Sequence, residues 1–237
     1  MELKPLQRQT LGSDVYEQLK EMLMSGILLP GQQVPLRPTA EALNVSVMPV
    51  REATQRLVAE KALEIGPSRI ARVPMMTIDQ FHEITSIRII LEGLAIANAC
   101  TRINEPSLLR VKALVEASEK ELSQKSPDGS KLINLNKDLH FTIYKSAEMP
   151  ILMQSIEALW VRIGPFLNYD ARSYSKRLQT KGIGDHYSRL MNSFDHHSRM
   201  VQALKTKDVE SAKAALAGDI GDAANFILSS GSLAAGD

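Results

Sequence analysis

The stretch from Val45 to Leu57, Val-Ser-Val-Met-Pro-Val-Arg-Glu-Ala-Thr-Gln-Arg-Leu, constrains this chain more than any other. A short polar turn opens a helix in which Val50, Ala53, Leu57 and Val58 share one face. Ser46 stands where a helix N-cap belongs, and Arg51 and Gln55 fall on a different face. Upstream, Leu36 to Leu43 reads as another short helix. Asn44 lies between the two, and asparagine tolerates the left-handed backbone that a tight turn needs. Two short helices about a tight turn make a helix-turn-helix, whose second helix enters the major groove of DNA.

The flanking segments complete a small domain. Asp14 with Glu17 three residues on suggests a capping arrangement. A helix follows to about Ser25, burying Val15, Leu19, Met22 and Leu23. Gly26 ends it, and Leu29-Pro30-Gly31 makes a turn. Ala62 to Ile65 and Ile70 to Val73 read as two strands about a turn at 66–69. These pieces form a winged helix-turn-helix over 1–74, preceded by a loose arm at 1–10. Pro74 marks the boundary.

Residues 75–237 read as an all-helical antiparallel bundle, so the chain is expected to be mainly α. Helices are expected at about 78–103, 105–124, 131–147, 150–168, 184–205 and 208–229. In the first, Ile84, Ile87, Leu91, Leu94 and Ala95 recur at helical spacing; Leu132, Leu135, Leu139 and Ile143 do so in the third. Gly164-Pro165 is expected to kink the fourth. The polar stretch 169–183 reads as a loop or break, and 230–237 as a frayed end.

Composition excludes several classes. The 28 Lys/Arg and 27 Asp/Glu nearly cancel, so any DNA contact must come from placement of cations rather than from excess. The single cysteine, Cys100, excludes an internal disulfide, fits a reducing cytosol and reads as core filler. The polar stretch Lys4 to Thr10 is no secretory signal, and no apolar run reads as a bilayer span. The chain is therefore expected in the cytoplasm with no membrane partner. Neither a His-Glu-x-x-His nor a Gly-x-Ser-x-Gly motif occurs, so no catalytic residue is assigned.

Five histidines occur: His82, His140, His186, His196 and His197. Asn136 and His140 stand four apart on one expected helix and share a face. His197 and Asp219 stand about equally far from the expected turn at 206–208. In an antiparallel helical hairpin such positions face each other.

Several of these stretches resemble the GntR family of bacterial transcription regulators, specifically the FadR-like subfamily with the helical FCD ligand domain. Gly26-Ile-Leu-Leu-Pro-Gly31 matches the family's glycine-x-leucine-x-proline-glycine turn. Val45-Ser46, Pro49-Val50-Arg51-Glu52-Ala53 and Leu57 match its recognition-helix motif. In the second part, Arg88-Ile-Ile-Leu-Glu92, Leu139-His140, and His197 followed by Ala203 match the FCD pattern. The resemblance covers roughly 11–229.

It implies a homodimeric, ligand-responsive regulator, a repressor in its commoner form, binding a near-palindromic double-stranded operator. Arg37 and Arg51 match arginines with which the family reads DNA. Val47-Met48 replace the usual Arg-Thr after Ser46, and these apolar side chains could touch a thymine methyl. In the wing, Ile70 replaces a frequent glycine, with Arg69 and Arg72 flanking it as candidates for phosphate or minor-groove contact.

The resemblance also implies a divalent metal, held at positions that correspond here to Asn136, His140, His197 and Asp219. Two depart from the family pattern, an amide replacing a carboxylate and a carboxylate replacing a histidine. The donors suit zinc, nickel or manganese better than calcium; the bland alternative is a hydrogen-bonded polar cluster with water. The implied effector is a small organic acid. Arg88 is the first candidate for its carboxylate, unless it pairs with Glu92 one turn on, and Arg162 beside Trp160 is the second. Tyr144, Tyr169 and Tyr187 could line a pocket, although aromatic residues in helices are more often core. The rival reading is a metal-dependent enzyme with an accessory DNA-binding head.

Overall fold

The computed structural model describes residues 11–125, 127–167, 184–230 and 233–234, the side chains of 184–191 and 230 excepted. The expected arm at 1–10, the break at 169–183, and the side chains of Tyr169, His186 and Tyr187 lie outside the described residues. What is described is mainly α, as expected: a head of three helices and a small sheet, followed by a helical bundle.

The head begins with α1 (Leu11–Met24), whose Val15, Tyr16, Leu19 and Leu23 are buried. Asp14, expected as the cap, lies in the first turn of α1, which begins earlier at Leu11, so it is not a cap. Gly26 follows with φ +60°, the left-handed backbone a helix exit uses. Next come β1 (Gln33–Val34), α2 (Leu36–Ala42) and α3 (Val47–Ala59). Asn44 turns the chain between the helices with φ +52°. α1 and α3 pack face to face, and Val50 and Leu57 are fully buried. The hairpin strands are β2 (Glu64–Ile65) and β3 (Ala71–Arg72), shorter than the sequence suggests. β1 was not expected. It pairs antiparallel with the free edge of β3, giving the order β1-β3-β2. At two residues, β1 is too short for alternation to reveal.

The bundle comprises α4 (Ile78–Arg102), α5 (Glu105–Leu122), α6 (Gly129–Lys145), α7 (Pro150–Leu167), α8 (Gly184–Thr206) and α9 (Val209–Ser230). Thr77 opens α4 with a capping box: its hydroxyl accepts from Gln80 N at 3.3 Å and its own N–H donates to the Gln80 amide at 3.1 Å. The expected apolar spacing on α4 is present, but its buried face is rotated. Ile84 and Ala95 are buried, whereas Ile87 and Leu94 are exposed and Arg88 and Glu92 face inward. Periodicity alone cannot tell an inward ion pair from a solvated one.

The α4 helix is also long and apolar. Its 25 residues include an 18-residue window of mean hydropathy 1.3, meeting the length and composition of a membrane span. Half that window is buried against other helices, and it carries the Arg88–Glu92 pair, as suits the central helix of a bundle.

α4 packs against α6, α7, α8 and α9, and α8 and α9 form an antiparallel hairpin about Lys207 and Asp208. Pro165 lies inside α7, which continues to Leu167. Gly164 serves close approach: a β-carbon there would lie 2.5 Å from Leu23 O, so α7 sits directly on the end of α1. An ion pair at 2.6 Å between Lys20 and Glu157 joins the same surfaces, and another between Lys137 and Glu21 joins α6 to α1. Near the C-terminus, Ala234 N–H donates to Met76 O at 3.0 Å, pinning part of the end expected to fray.

Candidate DNA-reading surface and buried metal centre

Helix α3 presents two unlike faces. Pro49, Val50, Ala53, Thr54 and Leu57 are buried, while Arg51, Glu52 and Gln55 are exposed. Helical pitch therefore leaves the Arg51 guanidinium in solvent while its neighbours hold the helix against α1. Ser46 occupies the N-cap position, but its hydroxyl makes no capping hydrogen bond. It is exposed, Val47 is half-buried, and Met48 is 60% exposed. Arg37 lies in the first turn of α2 and is exposed. In the wing, Arg69 is exposed at the turn with φ +59°. Arg72 donates from Nε to Glu64 Oε1 at 2.6 Å across the hairpin. That pairing sets the orientation of Arg72 and neutralises part of its charge.

Inside the bundle, three helices bring His140 (α6), His197 (α8) and Asp219 (α9) together. One ligand atom from each lies within 4.8 Å of the others, and all three side chains are buried. His140 Nε2 stands 3.1 Å from Asp219 Oδ2, and His197 Nε2 stands 3.5 Å from Asp219 Oδ1. Ser193, one turn before His197, donates its hydroxyl to Asp219 Oδ1 at 2.8 Å. Burial alone would favour a neutral Asp219. The charge of His197 beside it, with the contacts of both imidazoles, outweighs burial and holds its carboxyl well below the usual range. The equidistance of His197 and Asp219 from the turn thus produces the expected meeting. His196 instead turns to Asp222, with Nε2 3.1 Å from Oδ2, and does not join the cluster. Asn136 is half-buried one turn before His140.

The donors fit a small divalent ion. Ligand atoms about 2.1 Å from a tetrahedral centre stand about 3.4 Å apart, close to the spacings here. Two imidazoles and one carboxylate form a set that transition metals favour.

A second buried group adjoins this one. Arg88 donates to Glu92 from Nε at 2.7 Å and from Nη2 at 3.4 Å. Trp160 Nε1–H donates to Glu92 Oε1 at 3.0 Å, and Tyr144 OH donates to Oε2 at 2.5 Å. The Arg88 side chain is 5% exposed and that of Glu92 is 0% exposed. Burial works against the Arg88 charge, but Glu92 outweighs it and raises the guanidinium pKa. Burial, then Glu92, pushes the Tyr144 phenol well above its ordinary value. Of the two readings open for Arg88, the geometry therefore shows the intramolecular pair. Arg162 is half-buried and two residues beyond Trp160, so it projects from a nearly opposite side of α7.

Ser193 was not singled out from the sequence, and Tyr144 only as a pocket-lining aromatic. The signal was available: each stands four residues from a histidine, the relation that joined Asn136 to His140.

Residues 11–73 match the gntR family of bacterial regulatory proteins, and residues 83–221 match the FCD domain. The chain is a member of the GntR family. Within it, the pairing of helix-turn-helix and FCD domain is that of the FadR-like subfamily. The HTH-type transcriptional regulator McbR of Escherichia coli (strain K12) is 33% identical over 208 residues, 88% of each protein. The gluconate operon transcriptional repressor of Bacillus subtilis (strain 168) is 25% identical over 206 residues, covering 86% of this chain and 80% of that protein. The solved structure of E. coli McbR/YncC superposes with a TM-score of 0.81 at 31% identity, covering 94% of this chain and 99% of that one. A GntR transcriptional regulator from Rhodococcus sp. RHA1 shares the fold, with a TM-score of 0.66 at 19% identity over 92% of this chain and 98% of that one. These relatives are transcription regulators rather than enzymes, which sets aside the enzyme reading. The chain is a DNA-binding regulator with an FCD effector domain.

Proposed function

We propose that this GntR-family member is a cytoplasmic homodimeric repressor that holds a divalent transition metal at His140, His197 and Asp219 and releases its operator on binding a small organic acid. The observation that carries the reading is the convergence of those three donors from three helices. Two neutral imidazoles and one carboxylate leave a divalent ion with a net charge of about +1, which favours an anionic ligand. The metal would accept the acid's carboxylate, while Arg88, already engaged by Glu92, would shape the site rather than grip the ligand. Asn136 would supply a neutral oxygen beside the metal. The name of the Bacillus subtilis relative, a repressor of the gluconate operon, agrees with an organic-acid response and with repression. We propose 1–74 as the DNA-binding unit and 75–237 as the effector-binding and dimerisation unit.

On DNA, Arg51 would read a base edge with Arg37 beside it, Ser46, Val47 and Met48 would meet the groove, and Arg69 and Arg72 would contact phosphate or minor groove. Two copies would place two α3 helices on two half-sites. The acid must bind one arrangement of the dimer better than the other, or nothing shifts. A thermal-shift screen of hydroxy acids, sugar acids and dicarboxylates on zinc-loaded protein tests this reading. A stabilising acid should also weaken protection of the DNA upstream of the protein's own gene, at fixed salt. An acid that stabilises without changing protection, or the failure of all three classes to stabilise, contradicts it.

A further inference from the structure

Counting the protons between the two buried groups assigns a role to Tyr144. The Arg88 guanidinium reaches both oxygens of Glu92, Oε1 at 2.7 Å and Oε2 at 3.4 Å, and Trp160 also donates to Oε1; a carboxylate paired in this way with a buried cation is ionised and has no proton to give. The phenol of Tyr144 carries one proton, and that proton goes to Glu92 Oε2. The phenol oxygen also lies 2.8 Å from His140 Nδ1. With its only proton committed, that oxygen can only accept, so the proton in this contact sits on Nδ1. His140 Nε2 then faces Asp219 Oδ2 at 3.1 Å. In neutral His140 that nitrogen is a lone pair opposite a carboxylate oxygen. Two acceptors at that distance need a cation between them, either a proton on Nε2 or a metal ion.

We infer that Tyr144, anchored by Glu92, is a positioning residue that keeps the proton on His140 Nδ1 and so dedicates Nε2 to a divalent metal. Metal-bound histidines characteristically donate their second N–H to an oxygen acceptor, and removing that partner lowers metal affinity about 10–100-fold. Here the acceptor is a phenol whose own proton is directed elsewhere by a buried carboxylate. The chain from Asp219 through His140 and Tyr144 to Glu92 also ties the metal cluster to Arg88 and Trp160. The inference deepens the metal reading proposed above and rests on it.

Nitrogen-15 spectra of the histidine rings in the metal-free full chain, with His140 assigned through His140→Gln, read the proton directly. A proton on Nδ1 is the expected result, whether or not Nε2 carries a second one. An Nδ1 without a proton overturns the inference, and this reading does not depend on whether metal binds. Zinc titration then compares the wild-type chain with Tyr144→Phe and with Tyr16→Phe, which removes a phenol bonded to Glu60 in the head. Tyr144→Phe should bind zinc about 10–100-fold more weakly, with Tyr16→Phe unchanged. Equal affinity in a folded Tyr144→Phe overturns the inference. If Tyr144→Phe does not fold, the wild-type spectrum decides. Wild-type protein that binds no zinc defeats the metal reading and, with it, the role assigned to Tyr144 toward a metal, while the spectrum still reports the proton.

Discussion

Arg51 and Arg88 show how one residue type serves opposite ends of this molecule. Arg51 leaves α3 into solvent, where a guanidinium can take two acceptors from one guanine. Arg88 leaves α4 into the bundle and takes two oxygens of Glu92. Replacing Arg51 by alanine should remove about 1–3 kcal/mol of discrimination and abolish operator-specific footprints. Arg72→Ala should weaken binding at all sequences alike and lower the salt slope; unchanged operator affinity in Arg51→Ala would contradict the assignment. Glu92→Ala should cost about 3–5 kcal/mol in denaturant unfolding, because a buried guanidinium is left unpaired. Replacing both, Arg88→Met with Glu92→Leu, should recover much of that loss. Equal losses in the single and double variants would show that the unpaired guanidinium is not the source of the cost.

At the scale of elements, close approach decides more than helix propensity does. In an exposed helix Gly164→Ala would gain about 1 kcal/mol. Here the added carbon meets Leu23 O and Met24 backbone, neither of which is the end of a flexible side chain. The variant should instead lose about 1–3 kcal/mol through overpacking, seen as a lower thermal midpoint. A gain would mean that α7 does not rest on α1. The corner between α5 and α6 makes a pH-dependent clasp. Lys131 at 2.7 Å and the Asp128 N–H at 2.8 Å hold the Glu121 carboxyl below its ordinary value. A group lowered on folding adds stability above its unfolded pKa and loses it as pH falls through the folded one. Acid unfolding of wild type and Glu121→Gln should therefore converge below the usual carboxylate range and separate above it. Parallel curves would rule out the clasp.

Elements of this kind also mark what could be read in advance. The Val50, Ala53, Leu57 face and the turn at Asn44 were legible because local spacing and local backbone preference agree there. The meeting of His197 with Asp219 was legible because a hairpin converts sequence distance into spatial distance. The hydroxyl of Ser193, the proton path through Tyr144 and the seat of Gly164 on α1 depend on how separate helices settle against one another. The rotated inner face of α4 was hidden for a related reason. Spacing leaves Arg88 open between an effector's carboxylate and Glu92, and the choice is made by Trp160 and Tyr144, which reach Glu92 from two other helices.

For the whole molecule, a reading head rests directly on the bundle that carries the buried donors. Helix α7 is common to both: Glu157 pairs with Lys20 of the head, and Trp160 donates to Glu92 beside the donors. As the chain's single tryptophan, Trp160 should report events in the buried site through its emission. Metal analysis of untagged protein, purified without chelator, tests the account most directly. It should find about one zinc, nickel or manganese ion per chain in the wild type, and none in His140→Ala or His197→Ala. Wild-type protein that holds no metal, and shows no thermal shift with added zinc or nickel, would contradict it.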